Sequence, residues 1–119
     1  MASQPIVDRA EVIAVLNDHA RLGLDRTAKI TVTRNCLAAF CDLDFIGISV
    51  VQAQLLAAFR NCSFTSESPE RDFAEIVFRD RRVWMKVDYY DENLEYGSED
   101  PANAAITTRV ITILLPEDY

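Results

Sequence analysis

A chain of 119 residues, half of them hydrophobic and 26% charged, fits one globular domain large enough to bury a core without disulfides or metals. No apolar run approaches the roughly 18 residues that span a bilayer, and the N-terminus lacks the basic start and apolar stretch of a secretory signal. The expectation is a cytoplasmic domain with no membrane partner, and the net charge of −7 argues against direct binding to a phosphate backbone, which needs positive stripes.

Residues 1–7 are expected to form a disordered tail before the single domain. Asp8 and Glu11 have the spacing of a helix start, and Val12, Val15, Leu16, His19 and Leu22 recur at helical intervals up to Gly23. This predicts an amphipathic helix over 9–22 with a half-buried histidine. Lys29 to Thr33 alternates polar with β-branched residues, as a half-buried strand does. The stretch from Arg34 to Gly47 mixes aromatic, aliphatic and acidic residues in an ambiguous pattern, part of which is compatible with a helical turn. Ser49 then reads as the N-cap of a second helix over 50–60, with Val51, Leu55, Ala58 and Phe59 on one face. Residues 61–71 have loop composition.

From Asp72 the apolar period changes to two. Phe73 to Phe78 and Val83 to Tyr90 read as an antiparallel hairpin turned by Arg79-Asp80-Arg81-Arg82. Without a glycine dipeptide, its loop is expected to be longer than the two-residue forms. A polar loop follows over 91–100. Pro101 opens a short turn to Ala105, and Thr107 to Leu115 is apolar enough to be a central strand. The fold class is therefore α+β: a small single domain with an antiparallel sheet of about four strands packed against two helices.

The charge is unevenly spread. Residues 1–87 carry eleven acidic and eleven basic side chains, whereas residues 88–119 carry eight acidic ones against Arg109 alone. Cys36, Cys41 and Cys62 are an odd number at spacings unlike a zinc site, and His19 is the single histidine. They read as free thiols of a reducing compartment, with no metal and no cofactor. No glycine-rich phosphate loop and no Ser-His-Asp or Cys-His arrangement is visible.

Three strings of the C-terminal third carry a resemblance. They are Trp84-Met85-Lys86-Val87-Asp88-Tyr89-Tyr90-Asp91, Tyr96-Gly97-Ser98-Glu99-Asp100-Pro101-Ala102-Asn103, and Thr107-Thr108-Arg109-Val110-Ile111-Thr112-Ile113-Leu114-Leu115, before the terminal Glu117-Asp118-Tyr119. They are similar to the W-K-I-D-Y-Y-D, G-S-P-D-P-A-D and T-R-R-V-L-T-I-M-L-A-E-E-Y patterns of the bacterial domain-of-unknown-function 3768 family. Leu16-Asn17-Asp18 and Arg71-Asp72-Phe73 extend the likeness upstream. Arg71 stands where that family usually has histidine, Ala74 where it has glycine, and Met85 where it has tryptophan. A family role that leans on the histidine therefore does not transfer. The resemblance implies no activity. The family's occurrence on plasmids and other mobile elements implies an anti-defence role, as an inhibitor covering the nucleic-acid-binding surface of a CRISPR or restriction complex.

Two sites compete. The first is a non-enzymatic, acidic protein-interaction surface formed by Asp88, Tyr90, Asp91, Glu92, Glu95, Tyr96, Glu99 and Asp100, which would dock a basic protein partner such as a nucleic-acid-binding complex, with the chain as a monomer or homodimer. The second is a small-molecule or catalytic site. Alternation along the strand puts Trp84, Lys86, Asp88 and Tyr90 on one face and Val83, Met85, Val87 and Tyr89 on the core face. Arg109 and Thr107 are expected on the polar face of a neighbouring strand, giving a Lys86, Asp88, Tyr90 and Arg109 set with Asn17, Asp18 and Asp72 at its rim. Such groups do acid–base chemistry only where burial or neighbours shift their pKa values. Cross-strand ion pairs on a solvated sheet face produce the same pattern.

Overall fold

The computed structural model describes residues 8–119; the tail expected over residues 1–7 lies outside the described residues. Helix α1 (Arg9–Arg21) leads to strand β1 (Lys29–Val32), a short helix α2 (Arg34–Ala38) and the long helix α3 (Phe45–Arg60). Strands β2 (Phe73–Phe78), β3 (Arg81–Tyr90) and β4 (Thr108–Leu114) follow, and a 3-10 turn over Pro116–Asp118 closes the chain. No described helix is long and apolar enough to cross a membrane.

Local chemistry sets the helix limits. Asp8 caps α1 by accepting from the Ala10 N–H, and Gly23, at φ 80°, turns the chain out of it. The buried face differs from the stripe expected. Ile13, Ala14, Asn17 and Ala20 face inward, whereas Val15 and His19 are exposed and Val12 and Leu16 only half-covered. Asn17 is the reason: its amide has partners in the interior, and those bonds orient the helix. The second helix starts earlier than Ser49. Asp44 accepts from the Gly47 N–H at 2.6 Å, and the Ser49 hydroxyl donates to the Phe45 carbonyl within the first turn. Phe45 and Ile46 are 85% and 74% exposed, so no inward apolar pattern announced that turn.

The sheet runs β1-β4-β3-β2, with β1 parallel to β4 and both other pairings antiparallel. One face carries Ala74, Val83, Met85, Val87, Ile111 and Ile113 against Val51, Leu55 and Phe59 of α3, with Ala20 of α1 and Cys36 and Leu37 of α2 completing the core. Arg21 ties α1 to the end of α3 by donating to the Phe59 and Arg60 carbonyls, a favourable place for a cation. All three cysteines are free, and burial, with Asp118 nearby, pushes the Cys36 thiol up to about 11.

The hairpin turn is tighter than expected. Phe78 pairs directly with Arg81, leaving only Arg79 and Asp80 between the strands, at φ 47° and 67°. Left-handed backbone at both central residues matches the twist of a hairpin, normally with the help of asparagine or glycine. Here Arg79 is anchored instead. Its guanidinium donates to the Phe40 carbonyl at 3.0 Å and to Gln54, and lies 5.0 Å from the Phe78 ring centroid.

Candidate protein-interaction site

The polar residues of the C-terminal third divide between the two faces of the sheet. Along β3, Val83, Met85 and Val87 are buried on the helix side, and Trp84, Lys86, Asp88 and Tyr90 lie half-buried on the other, the alternation expected. Arg109 does not join them. The register pairs it with Tyr89, while Tyr90 pairs with Thr108 and Asp88 with Val110. Arg109 therefore points to the helix side, where it is 1% exposed. The set of Lys86, Asp88, Tyr90 and Arg109 does not converge, because the sheet itself separates the arginine from the other three. Asn17 and Asp18 belong to Arg109's side as well.

What remains on the open face is an ion pair. Lys86 Nζ lies 3.0 Å from Asp88 Oδ2. The hydrogen bond that the lysine donates to Asp88 raises its pKa against a smaller opposing effect of burial, the wrong direction for a lysine base. Phe73, Trp84 and Tyr119 form an edge-to-face row beside it, and a shallow hollow of about 520 Å³ runs from Asp72 past Trp84 and Lys86 to Tyr119.

Beneath the acidic loop, Arg109 builds a clamp. Its Nε donates to Asn17 Oδ1 at 2.6 Å, its Nη2 donates to the Pro101 carbonyl, and its guanidinium carbon sits 5.2 Å from the Tyr89 ring centroid. The Asn17 amide nitrogen donates to the Tyr89 hydroxyl at 2.8 Å and to the Glu70 carbonyl at 3.0 Å. The Tyr89 O–H donates in turn to the Glu70 carboxylate at 3.2 Å. Burial lowers the pKa of Arg109 and raises that of Tyr89. Nearby, Asp18 holds Arg71 bidentately and also accepts from Arg21. Burial alone would raise the Asp18 carboxyl, but those hydrogen bonds outweigh it and hold the group below the usual range. Arg71 thus has a structural partner in Asp18.

The loop over 91–107 is built on this clamp. Asp91 accepts from the Asn93 and Glu95 N–H groups, its own N–H donates to the Tyr96 carbonyl at 2.8 Å, and Gly97 bridges back to Tyr90. The hydroxyls of Ser98 and Thr107 lie 2.6 Å apart, and Thr107 donates to the Asp100 carbonyl. The eight candidate residues are therefore unequal. Asp88 is neutralised by Lys86, Asp100 pairs with Arg9, and Asp91 is spent on its own turn. Glu92, Glu95 and Glu99 are exposed and make no ion pair among the described residues, and Tyr96 beside them is 73% exposed. Asp91, Glu92, Tyr96, Glu99 and Ile106 frame a hollow of about 420 Å³ that no lysine or arginine lines.

Two acidic residues of the C-terminal third lie elsewhere. Glu117 pairs with Arg81, and Asp118 accepts from Asn35, Thr33 and the Leu115 N–H, with the Asn35 bond the main cause of its lowered pKa. Among the described residues no three His, Cys, Asp or Glu side chains group as a metal site.

Fold and site together define a small α+β domain that displays an acidic, tyrosine-bearing loop on a buried arginine clamp. The chain belongs to the family described as "Protein of unknown function (DUF3768)", which matches residues 45–118, from the start of α3 to the terminal 3-10 turn. No curated protein and no solved structure matches the chain.

Proposed function

We propose that the protein is a non-enzymatic interaction module whose loop over 91–100 receives a basic side chain of a protein partner. The observation that carries this is the hollow around Tyr96, bordered by carboxylates that make no ion pair among the described residues. A lysine or arginine entering it would meet Glu92 and Glu99 and the face of an exposed aromatic ring, gaining both ion pairing and cation–π attraction. The loop's internal hydrogen bonds lower the ordering cost of binding, because little of it has to be immobilised on contact.

A partner with a basic, nucleic-acid-binding surface suits this chemistry, and occlusion of such a surface in a bacterial defence complex is the biological role we propose for it. The test uses the immobilised full chain against purified CRISPR and restriction complexes. The expected result is a complex retained at low salt, released as salt rises, and not retained by a Glu92→Gln, Tyr96→Ala, Glu99→Gln chain. The retained complex should also lose nucleic-acid binding as the chain is added. Retention that ignores both salt and the loop substitutions would sink the reading.

A further inference from the structure

We propose a second binding surface, beyond the acidic loop: the free edge of β2, which takes an extended, lysine- or arginine-bearing peptide as a fifth strand. β2 has β3 on one side, and no described strand pairs with the other. The ladder shows which of its backbone groups are free. The Val87 N–H donates to the Asp72 carbonyl at 2.8 Å, so residues 72, 74, 76 and 78 bond to β3 in the antiparallel pattern. Phe73, Glu75 and Val77 then turn their N–H and C=O groups outward. Among the described residues, only the Phe73 N–H is otherwise engaged, donating to the Ser68 hydroxyl at 3.3 Å.

Proteins protect such edges with prolines, bulges, inward charges or a covering element. β2 has no proline, its register with β3 runs unbroken from Phe73 to Phe78, and Val77 is 71% exposed. In place of a cover, the loop before it stands off. Ser63, Thr65, Glu67, Asp72, Phe73 and Glu75 line a groove of about 550 Å³ beside the first half of the strand, and the edge continues past it to Phe78. Main-chain pairing would supply affinity there and side-chain contacts selectivity, as in other strand-addition sites.

Charge selects the occupant. Three carboxylates, Glu67, Asp72 and Glu75, line the groove and no lysine or arginine does. Glu75 is shared with the Trp84 indole N–H and with Arg82 at 3.8 Å. Glu67 and Asp72 make no ion pair among the described residues; Asp72 accepts only from the Ser68 hydroxyl. A basic strand satisfies them. A second copy of this chain does not, since pairing β2 with itself would bring two acidic grooves together, and like charges facing across a ladder are destabilising.

The probe is a short end-blocked peptide alternating lysine and valine, added to the full-length chain, with amide hydrogen exchange and peptide anisotropy as readouts. The expected result is new protection at the Glu75 and Val77 amides and binding that weakens with salt. An alternating glutamate–valine peptide should not bind. The lysine peptide N-methylated at alternate residues should bind about tenfold more weakly or worse, the size of two lost main-chain hydrogen bonds. Val77→Pro should have the same effect, because that N–H is not used by the β3 ladder; the N-methylated peptide keeps the test intact if this variant folds poorly. Four results would overturn the proposal: no protection at Glu75 and Val77, equal binding of the acidic peptide, indifference to N-methylation, or protection that appears with protein concentration alone.

Discussion

β3 is joined to its neighbours by two connections that solve opposite problems. At one end Arg79 and Asp80 reverse the chain in two residues, with left-handed backbone and an arginine anchored on Phe40 and Gln54. At the other, the path from Asp91 to Thr107 wanders over the surface and is held by Asn17, Tyr89 and Arg109 underneath. A short turn needs only local geometry. A long loop needs a scaffold, and here the scaffold is polar and comes from three separate parts of the sequence.

That contrast predicts unequal sensitivity, and the largest effect belongs to the clamp. Arg109→Met strands the buried Asn17 Oδ1 and takes the donor from the half-buried Pro101 carbonyl, at about 1–3 kcal/mol for a fully stranded group and less for the second. A loss of about 3 kcal/mol is expected in urea denaturation. Removing both partners with Asn17→Leu and Arg109→Met should cost less than the sum of the single changes by at least about 1 kcal/mol, since the two act as one network. Additive losses would mean that the arginine and the loop are not coupled.

The Tyr89 hydroxyl is the next step down. Tyr89→Phe should cost about 1 kcal/mol at neutral pH, one hydrogen-bonded group lost with little change of shape. The same residue gives the clamp a pH signature. Its folded pKa is raised above the ordinary value of 10.0, mainly by burial, so the native state keeps a proton that the unfolded chain releases. The stability this contributes is present in full below about pH 10 and falls as pH rises from there toward the folded value. Urea midpoints followed from neutral to alkaline pH should show the fall in the wild-type chain and a shallower one in Tyr89→Phe.

The turn should respond less, and in both directions. Asp80→Gly removes the cost of a side chain at φ 67° and should raise stability by about 0.5–1 kcal/mol. Arg79→Ala removes the anchor and should lower it by about 1 kcal/mol. Thermal melts of the two variants decide whether the turn is local, as the comparison requires. If Asp80→Gly perturbs amides in the loop over 91–107, the two connections are not independent.

The sequence made the apolar half of this architecture legible and hid the polar half. The alternation of Val83, Met85 and Val87 identified the core face of β3 correctly, because three apolar side chains at period two have few other uses. Both misplaced features involve buried polar residues. Asn17 does not count as core in any apolar pattern, so periodicity alone turns the Val12, Val15 and Leu16 stripe of α1 inward. On β4 both faces are apolar, with Ile111 and Ile113 on one and Val110, Thr112 and Leu114 on the other, so alternation could not say which face Arg109 joined; only the register with Tyr89 does. The two-residue turn is hidden for a related reason: Arg79 has no intrinsic liking for left-handed backbone and is held there by contacts distant in sequence. The acidic loop was visible as composition. Which of its carboxylates are free was not, since Lys86 and Arg9 had to be placed first.

The smallest effect on stability is expected from the residues assigned to binding. Glu92→Gln, Glu95→Gln and Glu99→Gln together remove three charges that pair with nothing among the described residues, and exposed substitutions of this kind stay within about 0.5 kcal/mol of the parent. Relief of mutual repulsion sets the sign, so the triple variant should be very slightly more stable, most visibly at low salt. Chemical denaturation at two salt concentrations measures this directly. A marked loss of stability would show the three glutamates to be part of the scaffold. An unchanged fold, combined with lost retention of a basic partner, would separate the loop's binding surface from the arginine clamp that holds it up.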